Sequence, residues 1–335
     1  MEVLIVNQRE VRELLSMKAC MKEMSEALRA LERGDAHMPL RSVMWLPEMT
    51  GALGMMPSYM QNLKVMGLKV ISVFPGNVGT DYDSHQGAVM LFDTEHGQPL
   101  AIVEASAITA IRTAAVSGVA TDLLARKDAG DLAILGAGTQ AHAHLEAMLL
   151  VRAVRRVRVW SLHPERAEEF AERASKRHGI IVEPMATAFE AVQGADIICT
   201  TTSSTDPVLL GEWIREGTHI NAIGACIPTS RELDTEAVVK SRLFVDRRES
   251  TLNEAGDFLI PKGEGAIGDD HIQGEIGEIL EGKIQGRRTD EEITLFESLG
   301  LAVEDLAAAR YIYVQAMEKG AGTALELGGS RKGNA

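Results

Sequence analysis

The run Leu135-Gly136-Ala137-Gly138-Thr139-Gln140-Ala141 is where residue type and spacing first imply chemistry in this 335-residue chain. Gly136 permits a sharp turn, Gly138 lets the backbone approach a pyrophosphate, and Ala141 takes the third small position, where a helix packs on a strand. An apolar strand, Leu132 to Leu135, precedes the turn, and a helical pattern, Thr139 to Leu150, follows it. The exposed N–H groups at that helix start suit phosphate charge, so a dinucleotide is the expected ligand. The next strand runs Val157 to Trp160. A carboxylate at its end would bind a ribose 2′-hydroxyl and favour NAD. Ser161, Leu162 and His163 stand there instead, and the next acid, Glu165, falls in the following helix. With Arg166 nearby, this end tolerates a 2′-phosphate, and NADP(H) is favoured with NAD(H) as the alternative.

Lys69 sits between Leu68 and Val70 in an apolar strand. Partial desolvation there would lower its pKa and suit it to proton donation. His142 and His144 resemble a metal pair, but two residues apart on a helix they face different directions. They are read as ordinary helix positions, and no metal is expected. The three cysteines, Cys20, Cys199 and Cys226, are odd in number and form no CxxC pair, so no disulfide framework is expected. Cys20 and Cys199 are read as small buried residues. Cys226 has no histidine beside it in sequence and is not read as a nucleophile.

The elements that must position these groups fall into two patterns. A short strand, Val3 to Val6, precedes a helix with Leu14, Met17, Met21, Met24, Leu28 and Leu31 at spacings of three and four. Between residues 40 and 104, short β-type runs begin at Ser42, Gly54, Leu68 and Ala88, with Glu95-His96-Gly97 as a hairpin turn. This is an antiparallel sheet. Ala105 to Arg126 is a long helix and marks a domain crossing. From Asp131 onward strands and helices alternate, with strands at 132–135, 157–160, 180–182, 197–201, 219–223 and 243–245. Such alternation implies a parallel sheet with right-handed crossovers. A helix from Leu301 to Lys319 returns to the first domain, and the Gly-rich tail from Gly320 is expected to be loosely held. The fold class is therefore α/β. A doubly wound Rossmann domain spans 116–304, and an α+β antiparallel-sheet domain is made from 1–115 with 305–335.

Composition narrows the function. Hydrophobic residues make up 45% of the chain, enough for two cores, and the net charge of −14 argues against nucleic acid and against a basic membrane-surface protein. The N-terminus has no signal-peptide pattern, and no stretch reads as the roughly 18 apolar residues of a membrane span. A cytoplasmic protein is expected.

Several segments together resemble the ornithine cyclodeaminase/mu-crystallin family: Gly67-Leu-Lys-Val-Ile-Ser, Ile111-Arg-Thr-Ala-Ala-Val-Ser, Leu135-Gly-Ala-Gly-Thr-Gln-Ala, Ile220-Asn-Ala-Ile-Gly-Ala, Arg231-Glu-Leu-Asp and Ser298-Leu-Gly-Leu-Ala-Val-Glu-Asp-Leu. The likeness runs from about residue 35 to 320. It implies a homodimer in which the first domain supplies pairing and substrate contact and the second binds a nicotinamide cofactor. It also implies that Arg41, Lys69 and Arg112 converge on a substrate carboxylate, a task suited to the planar fork of arginine. His85 matches a position near the nicotinamide in the mu-crystallin branch, where it would assist proton transfer or bridge cofactor groups. The expected substrate contacts are Arg41, Met56, Lys69, Arg112 and Cys226. The expected cofactor contacts are Arg112, Thr113, Gly136, Gly138, Thr139, Gln140, Ser161, Leu162, His163, Arg166, Thr200, Thr202 and Ile223. Cyclodeaminases of the family carry an aspartate where Cys226 stands. A neutral thiol cannot balance a second substrate ammonium. The leading expectation is an NAD(P)H-dependent reductase of C=N bonds beside a carboxylate, acting on cyclic ketimines or on acyclic imino acids by reductive amination. The alternatives are an ornithine or lysine cyclodeaminase with bound NAD, and a cofactor-regulated small-ligand binding protein.

Overall fold

The computed structural model describes residues 2–77 and 79–328. The chain forms two compact units, one of residues 1–112 with 301–335 and one of residues 113–300. Elements are numbered in chain order.

The first unit is built on an eight-stranded sheet of β1 (Glu2–Val6), β2 (Ala36–His37), β3 (Ser42–Trp45), β4 (Ala52–Met60), β5 (Val65–Val73), β6 (His85–Asp93), β7 (Pro99–Glu104) and β16 (Thr323–Glu326). Its order is β16-β1-β7-β6-β5-β4-β2, with β3 also on β4. All pairs are antiparallel except β1 with β7. The β6–β7 turn is closed by the Asp93 carboxylate, which accepts the N–H groups of Glu95, His96 and Gln98. Helices α1 (Gln8–Leu14) and α2 (Met17–Arg33) follow β1, and α11 (Ala302–Lys319) packs on α2, β4 and β5. The apolar spacing of α2 buries Met17, Cys20, Met24, Leu28 and Leu31, and Gly34 ends it in the left-handed region. The tail departs from the expectation of loose chain. Thr323–Glu326 adds to the open edge of β1, and the Gly322 N–H donates to Glu10 Oε1 at 3.0 Å.

α3 (Ala105–Leu124) begins in the first unit and ends in the second. Among the described residues it is the one helix long and apolar enough to cross a membrane, which corrects the reading that no stretch qualifies. Most of that apolar length is buried inside the protein, which identifies a core helix.

The second unit contains β8 (Asp131–Leu135), β9 (Arg156–Trp160), β10 (Val182–Pro184), β11 (Ile197–Thr200), β12 (His219–Ala222), β13 (Arg242–Val245), β14 (Ile272–Glu275) and β15 (Thr294–Glu297). Every pair in this sheet is parallel, and the order is β10-β9-β8-β11-β12-β15-β13-β14. The connecting helices are α4 (Thr139–Val151), α5 (Pro164–His178), α6 (Ala188–Val192), α7 (Thr235–Lys240), α8 (Arg248–Glu254), α9 (Gly256–Gly263) and α10 (Ile276–Leu280). Parallel strands covered on both faces need near-continuous apolar runs, and β8 and β11 are buried almost throughout. The strand order reverses between β8 and β11, and in open α/β sheets a ligand crevice forms at that switch. The third strand lies two residues later than its expected position at 180–182. β14 and β15 are preceded in sequence by runs of charged residues, which masks their short apolar signal.

Candidate active site

In the first unit, β4 and β5 place Met56 directly opposite Lys69, so both point from the same face of the sheet. Lys69 is only 3% exposed. Its Nζ donates to Thr109 Oγ1 at 2.7 Å and to Asp305 Oδ1 at 3.0 Å. Arg112, two turns into α3, donates from Nε to the same Asp305 oxygen at 3.1 Å and from Nη1 to Glu304 Oε2 at 2.9 Å. The sequence reading of a helix from Ala105 puts Arg112 inside that helix, and the structure starts α3 at the same residue. α3 therefore carries Thr109 and Arg112 on neighbouring turns.

Burial pulls the Lys69 ammonium down to about 8 from its ordinary value, against the pull of Asp305, with Arg112 and Arg41 adding to the downward push. Arg41 is half-buried just before β3. His85 begins β6, where its Nδ1 lies 3.0 Å from Ser84 Oγ. Desolvation by its surroundings and then the Lys69 charge hold its imidazole below the usual value. Burial pushes the Cys20 thiol well up, as expected of a small core residue. Thr109, Glu304 and Asp305 are functional candidates that sequence reasoning missed. The available signal was a pair of acids, Glu304-Asp305, inside an otherwise apolar helix face.

In the second unit, Gly136 has φ +110 and donates its N–H to Trp160 O at 2.8 Å. A Cβ there would lie 2.7 Å from the carbonyl and hydroxyl oxygens of Thr201. Gly138 caps α4 with no side-chain bond to the helix start, and the space over it is open. Ala141 is fully buried. An uncapped helix start, a bare glycine and room for close approach could hold a pyrophosphate here. Thr139 and Gln140 form the first turn.

Ser161 is half-buried at the end of β9, and Leu162 and His163 are exposed beside it. Arg166 lines a cavity of about 230 Å³ together with Ala137, His142, Glu169, Phe170 and Arg173. His142 stacks on Phe170 with ring centroids 4.3 Å apart, and Glu169 pairs with Arg173. His144 points elsewhere: its Nδ1 lies 2.8 Å from Gln140 O and its Nε2 lies 2.9 Å from Ser117 Oγ.

At the strand ends beyond the switch, Glu232 gathers the backbone. It accepts from Thr200 Oγ1 at 2.7 Å and from the N–H groups of Thr202 and Gly224 at 2.6 Å each. The Thr200 hydroxyl is thus fully buried and engaged within the protein. Thr113 and Ile223 are also buried. Asp257 Oδ1 in turn accepts the N–H groups of Glu232 and Leu233 at 2.9 Å each. Cys226 is half-buried, its thiol 3.3 Å from Ile223 O. Glu232 and Asp257 were not foreseen as supports, although Glu232 lies in the Arg231-Glu-Leu-Asp segment.

The family model for the ornithine cyclodeaminase/mu-crystallin family matches residues 1–320. Among curated relatives, Delta(1)-pyrroline-2-carboxylate reductase of Bacillus cereus is 38% identical over 97% of this chain and 100% of its own. Ketimine reductase mu-crystallin of Mus musculus is 40% identical over 84% of this chain and 85% of its own. Among solved structures, Delta(1)-pyrroline-2-carboxylate reductase of Thermococcus litoralis, in complex with NADH and L-proline, superposes with a TM-score of 0.94 at 41% identity, over 96% of this chain and 99% of that one. An archaeal alanine dehydrogenase dimer with bound NAD gives 0.92 at 36% identity, over 98% and 100%.

Proposed function

The chain belongs to the ornithine cyclodeaminase/mu-crystallin family, and from that premise we propose that it is a reductase of C=N bonds adjacent to a carboxylate, using a nicotinamide dinucleotide. Cyclic ketimines such as pyrroline- and piperideine-2-carboxylate come first as substrates, and acyclic imino acids formed from a 2-oxo acid and an amine come next. The observation that carries this reading is the buried Lys69–Arg112 pair. It combines a lysine whose ammonium burial pulls down to about 8 with a guanidinium suited to a carboxylate.

When bound in the Gly136–Gly138 cradle, the dinucleotide supplies hydride to the imine carbon. Arg112 and Arg41 hold the substrate carboxylate, which shares the Arg112 guanidinium with Glu304 and Asp305. Lys69 gives an Nζ proton to the imine nitrogen and recovers one from solvent. Fixing the carboxylate also fixes which face of the imine is presented. His85, near enough to feel the Lys69 charge, assists that proton traffic or contacts cofactor. Met56, opposite Lys69 in the sheet, serves as an apolar wall.

NADP(H) is the favoured form. Ser161 in place of an acid, and the cavity flanked by Arg166 and Arg173, suit a 2′-phosphate. The three free thiols fit a reducing, cytoplasmic compartment, and a homodimer is the proposed assembly.

The deciding experiment follows loss of reduced-nicotinamide absorbance with NADPH and NADH. The substrates are pyrroline-2-carboxylate, piperideine-2-carboxylate, and 2-oxo acids with ammonia or methylamine. Consumption with at least one imine is expected. Ammonia release from ornithine without net cofactor change would instead establish a cyclodeaminase. Binding of NADPH with no imine reduced would leave a ligand-binding protein.

A further inference from the structure

We infer that Asp305 is a positioning residue for imine reduction, its single Oδ1 atom anchoring both the Lys69 ammonium and the Arg112 guanidinium. The inference rests on Lys69 being the proton donor. Oδ1 lies 3.0 Å from Lys69 Nζ and 3.1 Å from Arg112 Nε, and all three side chains are at least nine-tenths buried.

An ammonium taken out of water discharges unless an opposite charge stays beside it. The groups facing Lys69 divide clearly by sign. From α3 comes Arg112, and from the segment before β3 comes Arg41; both disfavour the charged lysine. His85 on β6 is driven towards its neutral form by desolvation and then by Lys69. The Cys20 thiol on α2 is kept protonated by burial and by Glu304. Thr109 offers only a hydroxyl. Its own proton goes to Ala105 O at 2.7 Å, which turns its lone pairs to Lys69. Of the two acids on α11, Glu304 binds Arg112 and the Leu301 N–H, whereas Asp305 alone makes a bond to Lys69. Asp305 therefore keeps the ammonium loaded. Two of the three Nζ–H bonds are taken by Thr109 and Asp305, leaving one proton for the imine nitrogen. The same oxygen sets the distance between the proton donor and the arginine that holds the substrate carboxylate.

The test is kcat/KM for imine reduction as a function of pH in the full-length chain. The wild-type rate should fall on the basic side as Lys69 loses its proton. Asp305→Asn should move that basic limb to lower pH by about one unit or more, a loss of about fivefold or more at pH 8 that is recovered on acidification. Glu304→Gln should leave the limb in place. Asp305→Ser, which admits water, carries the same expectation as Asn should the amide variant not fold. An unmoved limb in a folded Asp305 variant, with Lys69→Met inactive, overturns the positioning role and leaves the donor assignment standing. Full activity in Lys69→Met removes the donor assignment, and this inference with it.

Discussion

Ser161 is the single residue on which the proposed preference for NADP(H) turns. It ends β9, where a carboxylate would pair with a ribose 2′-hydroxyl and repel a 2′-phosphate. Ser161→Asp should lower the ratio of kcat/KM with NADPH to that with NADH by about tenfold or more, the scale of one unfavourable charge contact in a partly desolvated site. Arg166→Ala should lower the NADPH value without raising the NADH value, because it removes an attraction and adds no new one. Steady-state kinetics with both cofactors reads these ratios. An unchanged ratio in both variants would mean that the 2′-phosphate lies elsewhere. Residues of this kind were legible in the sequence because their signals are local: a glycine turn, a strand end, a lysine between two apolar neighbours. Asp305 was not. Its partners Arg112 and Lys69 lie 193 and 236 residues away along the chain, and no short window contains a bond of that span.

At the scale of elements, the ends of β11 and β12 are held by a buried carboxylate network with a pH signature. Glu232 ties Thr200, Thr202 and Gly224 together, and Asp257 fixes the segment carrying Glu232. Gly224 admits no larger residue, since a Cβ would come 2.1 Å from Thr202 O. Burial, reinforced by Glu232, pushes the Asp257 carboxyl up to about 8, and burial with Asp257 and Asp246 raises Glu297 as well. A raised folded-state value means that the folded protein holds a proton the unfolded chain has released. The resulting stability is complete below the ordinary carboxylate range and is lost as pH rises through about 8. Thermal unfolding should therefore show stability declining from pH 5 to pH 8. Asp257→Asn mimics the protonated acid and keeps an acceptor for the two N–H groups. It should remove up to about 1.4 kcal/mol per pH unit from that slope. The same slope in the variant would assign the proton to another group. The strand–helix alternation that carries these loops was readable from periodicity, because each element buries one continuous apolar stripe. β15 and β16 were not, because their short runs lie between charged or glycine-rich stretches and their identity as strands comes from β12, β13 and β1 alongside them.

At the scale of the whole molecule, and among the described residues, β3 presents an apolar surface that a single chain leaves uncovered. All four residues of β3 are exposed, so both of its faces lack a covering layer, and among the described residues β3 pairs only with β4. Met44 is 53% exposed and Trp45 46%, and Met49 follows at 60%. An apolar edge strand in this state is a site for association. A second copy of the chain is the occupant we propose, in keeping with the two-fold pairing common among soluble oligomers. The net charge of −14 opposes indiscriminate aggregation, so one specific contact is expected rather than open-ended assembly. Light scattering should give about twice the 36.2 kDa chain mass. Met44→Asp combined with Trp45→Asp should give a monomer with unchanged circular dichroism, because these side chains make little core. Arg41 lies immediately before β3 and contributes to the charge around Lys69. Loss of support on β3 should therefore reach the substrate: KM for the imino acid should rise by about tenfold in the monomer, while cofactor binding, built in the second unit, should hold. A wild-type chain that is monomeric at micromolar concentration, or a dimer untouched by both substitutions, would move the interface away from β3.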